Sequence, residues 1–171
     1  MPRHPVPPPT RRRSAVRRQP AAADNWLALD QQLCFALYAA SLAMTKTYKP
    51  LLAPLGLTYP QYLVMLVLWE GDGISVSTLG ERLTLDSGTL TPLLKRLALL
   101  GLLQRQRDAA DERRVLLQLS PAGRHLKRQA QVVPQAVACA TAFDLQQIQC
   151  LAAQLTTLRQ QLNAPLSKAA A

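Results

Sequence analysis

A mainly α-helical domain with a small β wing is the expectation set by three stretches of this 171-residue chain. From Leu85 to Gly101 the residues Leu90, Leu93, Leu94, Leu97 and Leu100 fall at helical spacing, which turns one face to a core. A shorter helix, from Leu79 to Leu83, precedes it across a tight turn. Two strand-like runs follow, Leu103 to Gln106 and Arg114 to Leu119, separated by the loop DAADE. Helix, turn, helix and basic hairpin in that order make a winged helix-turn-helix of class α+β. Helices before and after it have spare apolar faces, which read as N- and C-terminal dimerisation helices.

In chain order, residues 1–25 are rich in proline and arginine and cannot bury enough apolar surface to offset their ordering entropy. They are expected to form a disordered basic tail. Residues 26–171 are expected to form one domain, with dimerisation helices at 26–56 and 121–165 around a winged lobe at 57–120. The first helix, from Trp26 to about Leu52, should end at Lys49-Pro50 and Pro54. The stretch from Tyr59 to Glu70 is apolar nearly all round, with Pro60 in its first turn, and should lie at the centre. Ile74 to Val76 is placed to add a short strand. Ser77 or Thr78 should cap the next helix, with Glu81 completing a capping box, and Asp86 or Ser87 the one after. Pro92 must lie in that helix's first turn or bend it. Ser120-Pro121 should start a long helix to about Ala140, bent at Pro134. Asp144 with Gln147 should cap the last, whose stripe is Leu145, Ile148, Leu151, Ala152, Leu155, Leu158 and Leu162.

The formal charge is +10. Residues 1–25 hold six arginines against one aspartate, and the remaining 146 hold 14 basic against nine acidic groups, so both parts are basic. Such a balance points to nucleic acid or an anionic surface. No apolar run reaches transmembrane length, and no apolar region follows the arginines as in a secretory signal. Three widely spaced cysteines form no CxxC and no zinc pattern. The expectation is a reducing cytoplasm, with no membrane, no metal and no cofactor.

The face opposite the leucines carries Gly88, Thr91, Pro92, Lys95 and Arg96, with Ser87 and Thr89 at its start. Short polar groups come first and cations after, with no carboxylate beyond Asp86. This suits a major groove, where short side chains reach bases and Lys or Arg reach phosphates. Arg105, Arg107, Arg113 and Arg114 lie on or beside the loop. Arg113 at its tip is placed to enter a narrow minor groove. Asp111 either orients it by a charge-assisted bond or only shapes the turn. A solvated basic face would look similar in isolation. The added basic hairpin favours double-stranded DNA, read as a pseudo-palindromic operator by a homodimer.

The motif LDSGTLTPLLKRL followed by RDAADERRVLLQLSPAG resembles the MarR family of winged-helix repressors, over about Leu27 to Ala140. Within it, LDSGTLTPLLKRL is closer to the organic-hydroperoxide-sensing branch. Cys34, followed by Tyr38, Tyr48 and Tyr59 at spacings of four, 14 and 25, looks like the pattern of those sensors, where tyrosines hydrogen-bond the reactive sulfur. Cys139 resembles the second thiol of the two-cysteine subclass, which resolves the oxidised first as a disulfide between subunits. Cys150 matches no role in the family. The resemblance implies a transcriptional repressor rather than an enzyme, released from DNA by organic hydroperoxides.

On the residues alone, Tyr38 shares a face with Cys34, one turn on. Tyr48 lies about 21 Å along a straight helix from Cys34, so it reaches that sulfur only across an antiparallel dimer, where Tyr59 could join it. Phenol O–H groups donating to sulfur favour the thiolate, the form that attacks a peroxide. Helical phase does not separate Cys139 from Cys150. Competing readings are Cys34 as a small buried hydrophobe with tyrosines as core filler, a MarR-type repressor answering a small phenolic or aromatic ligand, a thiol peroxidase, and a chromosome-architecture protein. No motif supplies a peroxidase with a cationic partner for turnover, and an architectural protein predicts no release by oxidant.

Overall fold

The computed structural model describes residues 26–108, 111 and 114–164. The tail at 1–25, Arg113 at the wing tip and the end of the last dimerisation helix at 165 lie outside them. Contacts divide the chain into two compact units, Met1–Ala39 and Ala40–Ala171.

The helix expected from Trp26 begins only at Leu33. Ala28 and Gln32 are extended around a 3-10 turn, Leu29–Gln31. The Gln32 side chain donates back to the Trp26 and Ala28 carbonyls, an alternative to helical bonding for the incoming chain. Helix α1 (Leu33–Leu52) then runs through Pro50 rather than stopping before it. So near the helix end, proline removes only the bond to the Lys46 carbonyl, and Lys46 is exposed to water. A second 3-10 turn, Ala53–Leu55, closes on Gly56 at φ 65°.

Helix α2 (Tyr59–Glu70) starts with a Thr58–Gln61 capping box and Pro60 in its first turn. It is the buried centre: Tyr62, Val64, Met65 and Leu68 are at most 1 % exposed. Around it pack α3 (Val76–Leu83) and α4 (Ser87–Leu99), through Leu79, Leu90, Leu94 and Leu97. The cap of α3 is Ser75, not Ser77 or Thr78. The strand brings Ser75 in extended, so its hydroxyl can accept the Thr78 N–H, while Ser77 and Thr78 fall inside the first turn. Asp86 caps α4. Pro92 lies inside α4, past its first turn, and the helix continues through it. The carbonyl it leaves without a donor belongs to Gly88, on the exposed side. Leu100, expected on the core stripe, is 41 % exposed, because α4 ends at Leu99 and the chain turns away at Gly101, φ 70°.

The sheet is antiparallel, in the order β1 (Ile74–Ser75), β3 (Val115–Leu119), β2 (Leu103–Arg107). Arg105 pairs with Leu117 and Arg107 with Val115, which sets the hairpin register. By strand alternation Arg105 and Arg107 share the side of buried Leu103.

The single long helix expected from Pro121 is two: α5 (Pro121–Ala130) and α6 (Val132–Thr141). The break falls at Gln131, not at Pro134. A proline ring clashes with the carbonyl four residues back and cannot donate to it, so the ladder fails at Ala130 and Pro134 sits in the first turn of α6. Helix α7 (Leu145–Asn163) begins with the expected Asp144–Gln147 capping box and has no buried residue. On its stripe Leu145 is 71 % and Leu162 74 % exposed.

Candidate functional site

The head of α4 is built by Asp86. Its Oδ1 accepts the Thr89 N–H at 2.8 Å and its Oδ2 the Thr89 hydroxyl at 3.0 Å. The backbone bond, then the hydroxyl bond, hold this carboxyl below its usual pKa, so it stays ionised against the positive helix end. The Thr91 hydroxyl donates to the Ser87 carbonyl at 2.7 Å, which leaves its acceptor side for a ligand. Ser87, Pro92, Lys95 and Arg96 are exposed on the same helix. The arrangement offers hydroxyls near the N-terminus and two cations one to two turns on.

The wing adds to this surface. Arg107 ends β2, and the Arg114 carbonyl accepts the Asp108 N–H while its own N–H donates to the Asp111 carbonyl, each at 2.9 Å. The Arg114 guanidinium lies 3.9 Å from Asp108. Asp111 joins the turn through its backbone carbonyl, and Arg113, which its carboxylate was expected to orient, lies outside the described residues. Arg105 lines a groove of about 790 Å³ with Ser87, Arg114 and Thr84, and a second, of about 400 Å³, with Lys95. It therefore joins the α4 and wing cations into one face. The sequence already placed Arg105 among the basic residues beside the wing loop; the fold adds its place beside Lys95 of α4.

The three cysteines are free and exposed. Cys34 and Tyr38 stand on the first turns of α1, Cys139 on α6 and Cys150 on α7. Cys150 lines a shallow groove of about 290 Å³ with Phe143 and Leu151. Tyr48 and Tyr59 come together, with ring centroids 4.6 Å apart, and Tyr48 also packs 5.8 Å from Tyr62. Tyr62 meets Trp69 edge-on at 6.2 Å. Burial, and for Tyr48 and Tyr62 the neighbouring phenols, raise all three tyrosine pKa values, so the O–H groups remain donors. Tyr62 and Trp69 were not foreseen in this cluster; Tyr62 follows Tyr59 at helical spacing, which was the available signal. Among the described residues no group of three His, Cys, Asp or Glu could hold a metal.

A family model described as transcriptional regulator SarA/Rot matches residues 46–130. The HTH-type transcriptional regulator TtmR of Methylorubrum extorquens is 50 % identical over 141 residues, 82 % of this chain and 72 % of that protein. The chain is a MarR-family transcriptional regulator. The organic hydroperoxide resistance transcriptional regulator of Bacillus subtilis is 55 % identical over 106 residues, 62 % of this chain and 72 % of that one. Among solved structures, reduced AbfR bound to DNA is 33 % identical and overlays with a TM-score of 0.63, over 79 % of this chain and 96 % of AbfR. AbfR of Staphylococcus epidermidis is also solved overoxidised on DNA and, at TM-score 0.54, with a disulfide formed.

This MarR-family chain therefore binds DNA and belongs to a non-enzymatic class. Its α3–turn–α4 unit is the helix-turn-helix, α4 the recognition helix and the β2–β3 hairpin the wing. Of the residues expected to read DNA, the structure gathers Ser87, Thr89, Thr91, Pro92, Lys95, Arg96, Arg107, Asp111 and Arg114 on these elements.

Proposed function

We propose that this regulator is a homodimeric repressor that leaves its pseudo-palindromic operator when organic hydroperoxides oxidise Cys34. The observation that carries the reading is a free, exposed Cys34 on a helix with uncovered apolar residues, Leu33 at 60 % and Leu42 at 54 % exposure. A second copy of the chain would cover such a face. In that dimer Tyr48 and Tyr59 of the partner subunit are proposed to donate to the Cys34 sulfur, alongside Tyr38 of its own chain. The likeness to the Bacillus regulator supports the signal, and DNA-bound AbfR supports the target.

The chemistry balances as follows. The Cys34 thiolate attacks the peroxide's outer oxygen, the O–O bond breaks, and the alkoxide leaves to be protonated to an alcohol. Sulfur now holds a sulfenic acid. The Cys139 thiol of the partner subunit attacks that sulfur, water leaves, and a disulfide joins the subunits. A cellular thiol reverses it. Because overoxidised AbfR is solved on DNA, release is assigned to the disulfide rather than to the first oxidation.

The test is an operator gel shift with stoichiometric cumene hydroperoxide. Wild-type protein should release DNA and rebind after a thiol reductant, while Cys34→Ser should bind and stay bound. Release of Cys34→Ser by the peroxide would show that the signal enters elsewhere. Release of wild type by a phenolic ligand, and not by peroxide, would move the reading to a ligand-responsive repressor.

A further inference from the structure

We propose that Arg159 is a positioning residue for the helix-turn-helix, holding the turn between α3 and α4 through Thr84. Thr84 closes α3 in the left-handed region, φ 57° and ψ 41°. Its N–H donates to the Glu81 carbonyl at 3.3 Å and the next N–H, of Leu85, to the Gly80 carbonyl at 3.0 Å. These two bonds make a Schellman closure, a place normally held by glycine or asparagine. A β-branched residue is strained there. Such strain persists where the surroundings use the side chain. The hydroxyl of Thr84 has a partner: Arg159 Nη1, 75 residues on in α7, donates to Thr84 Oγ1 at 3.0 Å.

The turn leaves little slack. A Cβ added at Gly80 would lie 2.9 Å from the Leu85 carbonyl oxygen and 3.2 Å from Leu90 Cδ1. Thr84 is two residues from Asp86, the cap of the recognition helix, so a shift at Thr84 moves the cap and the hydroxyls behind it. Although α7 has no buried residue, this bond ties its C-terminal half to the turn that aims α4. Arg159 acts through Thr84 and does not itself touch DNA.

The test is a double-mutant cycle on an operator duplex selected by the wild-type protein from random sequence, with affinities referred to the active fraction. Arg159→Gln and Thr84→Gly should each weaken binding about threefold to fivefold, the range of one exposed charged bond. The double variant should be no weaker than the worse single. The slope of affinity against salt should not change, because no phosphate contact is lost. Thr84→Gly relieves the backbone strain, so it should be at least as stable as wild type while binding more weakly, which a merely structural role for Thr84 does not predict. Thr84→Ser keeps the hydroxyl and should bind as wild type. Losses that multiply, or a salt slope shallower by about one contact, would make Arg159 a direct phosphate ligand and overturn the proposal. Wild-type affinity in both single variants would overturn it too.

Discussion

Asp86 does two jobs at the head of the recognition helix: it satisfies the Thr89 N–H and it fixes the Thr89 hydroxyl. Its folded pKa lies below the ordinary 3.8. The ionised cap therefore stabilises α4 above that ordinary value and is lost as pH falls through the lowered one. The Thr89 amide should exchange more slowly than its intrinsic rate at neutral pH, and that protection, corrected for the intrinsic pH dependence, should fall in acid below about pH 4. Asp86→Asn keeps an acceptor without the titration, so its exchange should lack that acid step; a step of wild-type size there would assign the effect to another group. At this scale the sequence was readable where one side chain meets its own backbone. Both capping boxes, Thr58–Gln61 and Asp144–Gln147, are local in this sense, though only the second was foreseen. Thr84 and Arg159 were not readable, because the bond joins residues 75 apart and neither carries a motif.

At the scale of elements, the Ser120–Gly123 end of the RDAADERRVLLQLSPAG motif, SPAG, has a physical reason. The Ser120 hydroxyl accepts the Gly123 N–H at 3.0 Å and donates to the Gly101 carbonyl at 2.6 Å. Trp69 Nε1 donates to the Gly123 carbonyl at 2.9 Å. A Cβ at Gly123 would lie 2.0 Å from the Leu102 carbonyl oxygen. The end of α4, the return of the wing and the start of α5 therefore meet at one point with no room for a side chain. Gly123→Ala should cost about 1–3 kcal/mol as an overpacked site, read as a lower denaturant midpoint at unchanged slope. A wild-type midpoint would mean that the two turns part easily. Asp72 fastens the same junction from outside, accepting from the Leu119 N–H at 3.0 Å and from Arg124 at 2.8 Å. Helical and strand periodicity made most elements legible. The break in the long helix was expected at Pro134 itself, whereas the steric conflict a proline makes falls four residues earlier.

At the scale of the whole molecule, the terminal helices keep apolar surface that one chain leaves in water. If two copies cover it as proposed, peroxide-treated wild type should run as a covalent dimer on non-reducing gels, and Cys150→Ser should too. Cys139→Ser should lose that dimer and accumulate sulfinic acid on Cys34 by mass spectrometry. Loss of the dimer in Cys150→Ser instead would give the resolving role to α7. The DNA face should announce itself through salt: with Lys95, Arg96, Arg105, Arg107 and Arg114 on it, operator affinity should fall steeply between 50 and 200 mM salt, by about a thousandfold or more if two subunits make six or more phosphate contacts. A flat response would remove this surface as the binding face.

By itself the sequence determined the class of the molecule. Helical leucine spacing, a basic hairpin and the LDSGTLTPLLKRL and DERR stretches are patterns among near neighbours, and near neighbours are set by backbone periodicity and local capping. Tertiary structure alone decided that Tyr48 of α1 packs on Tyr62 of α2, that Arg159 meets Thr84, and that Gly123 must be glycine. Each depends on two segments distant in sequence arriving within a few ångströms, and no one-dimensional pattern encodes that distance.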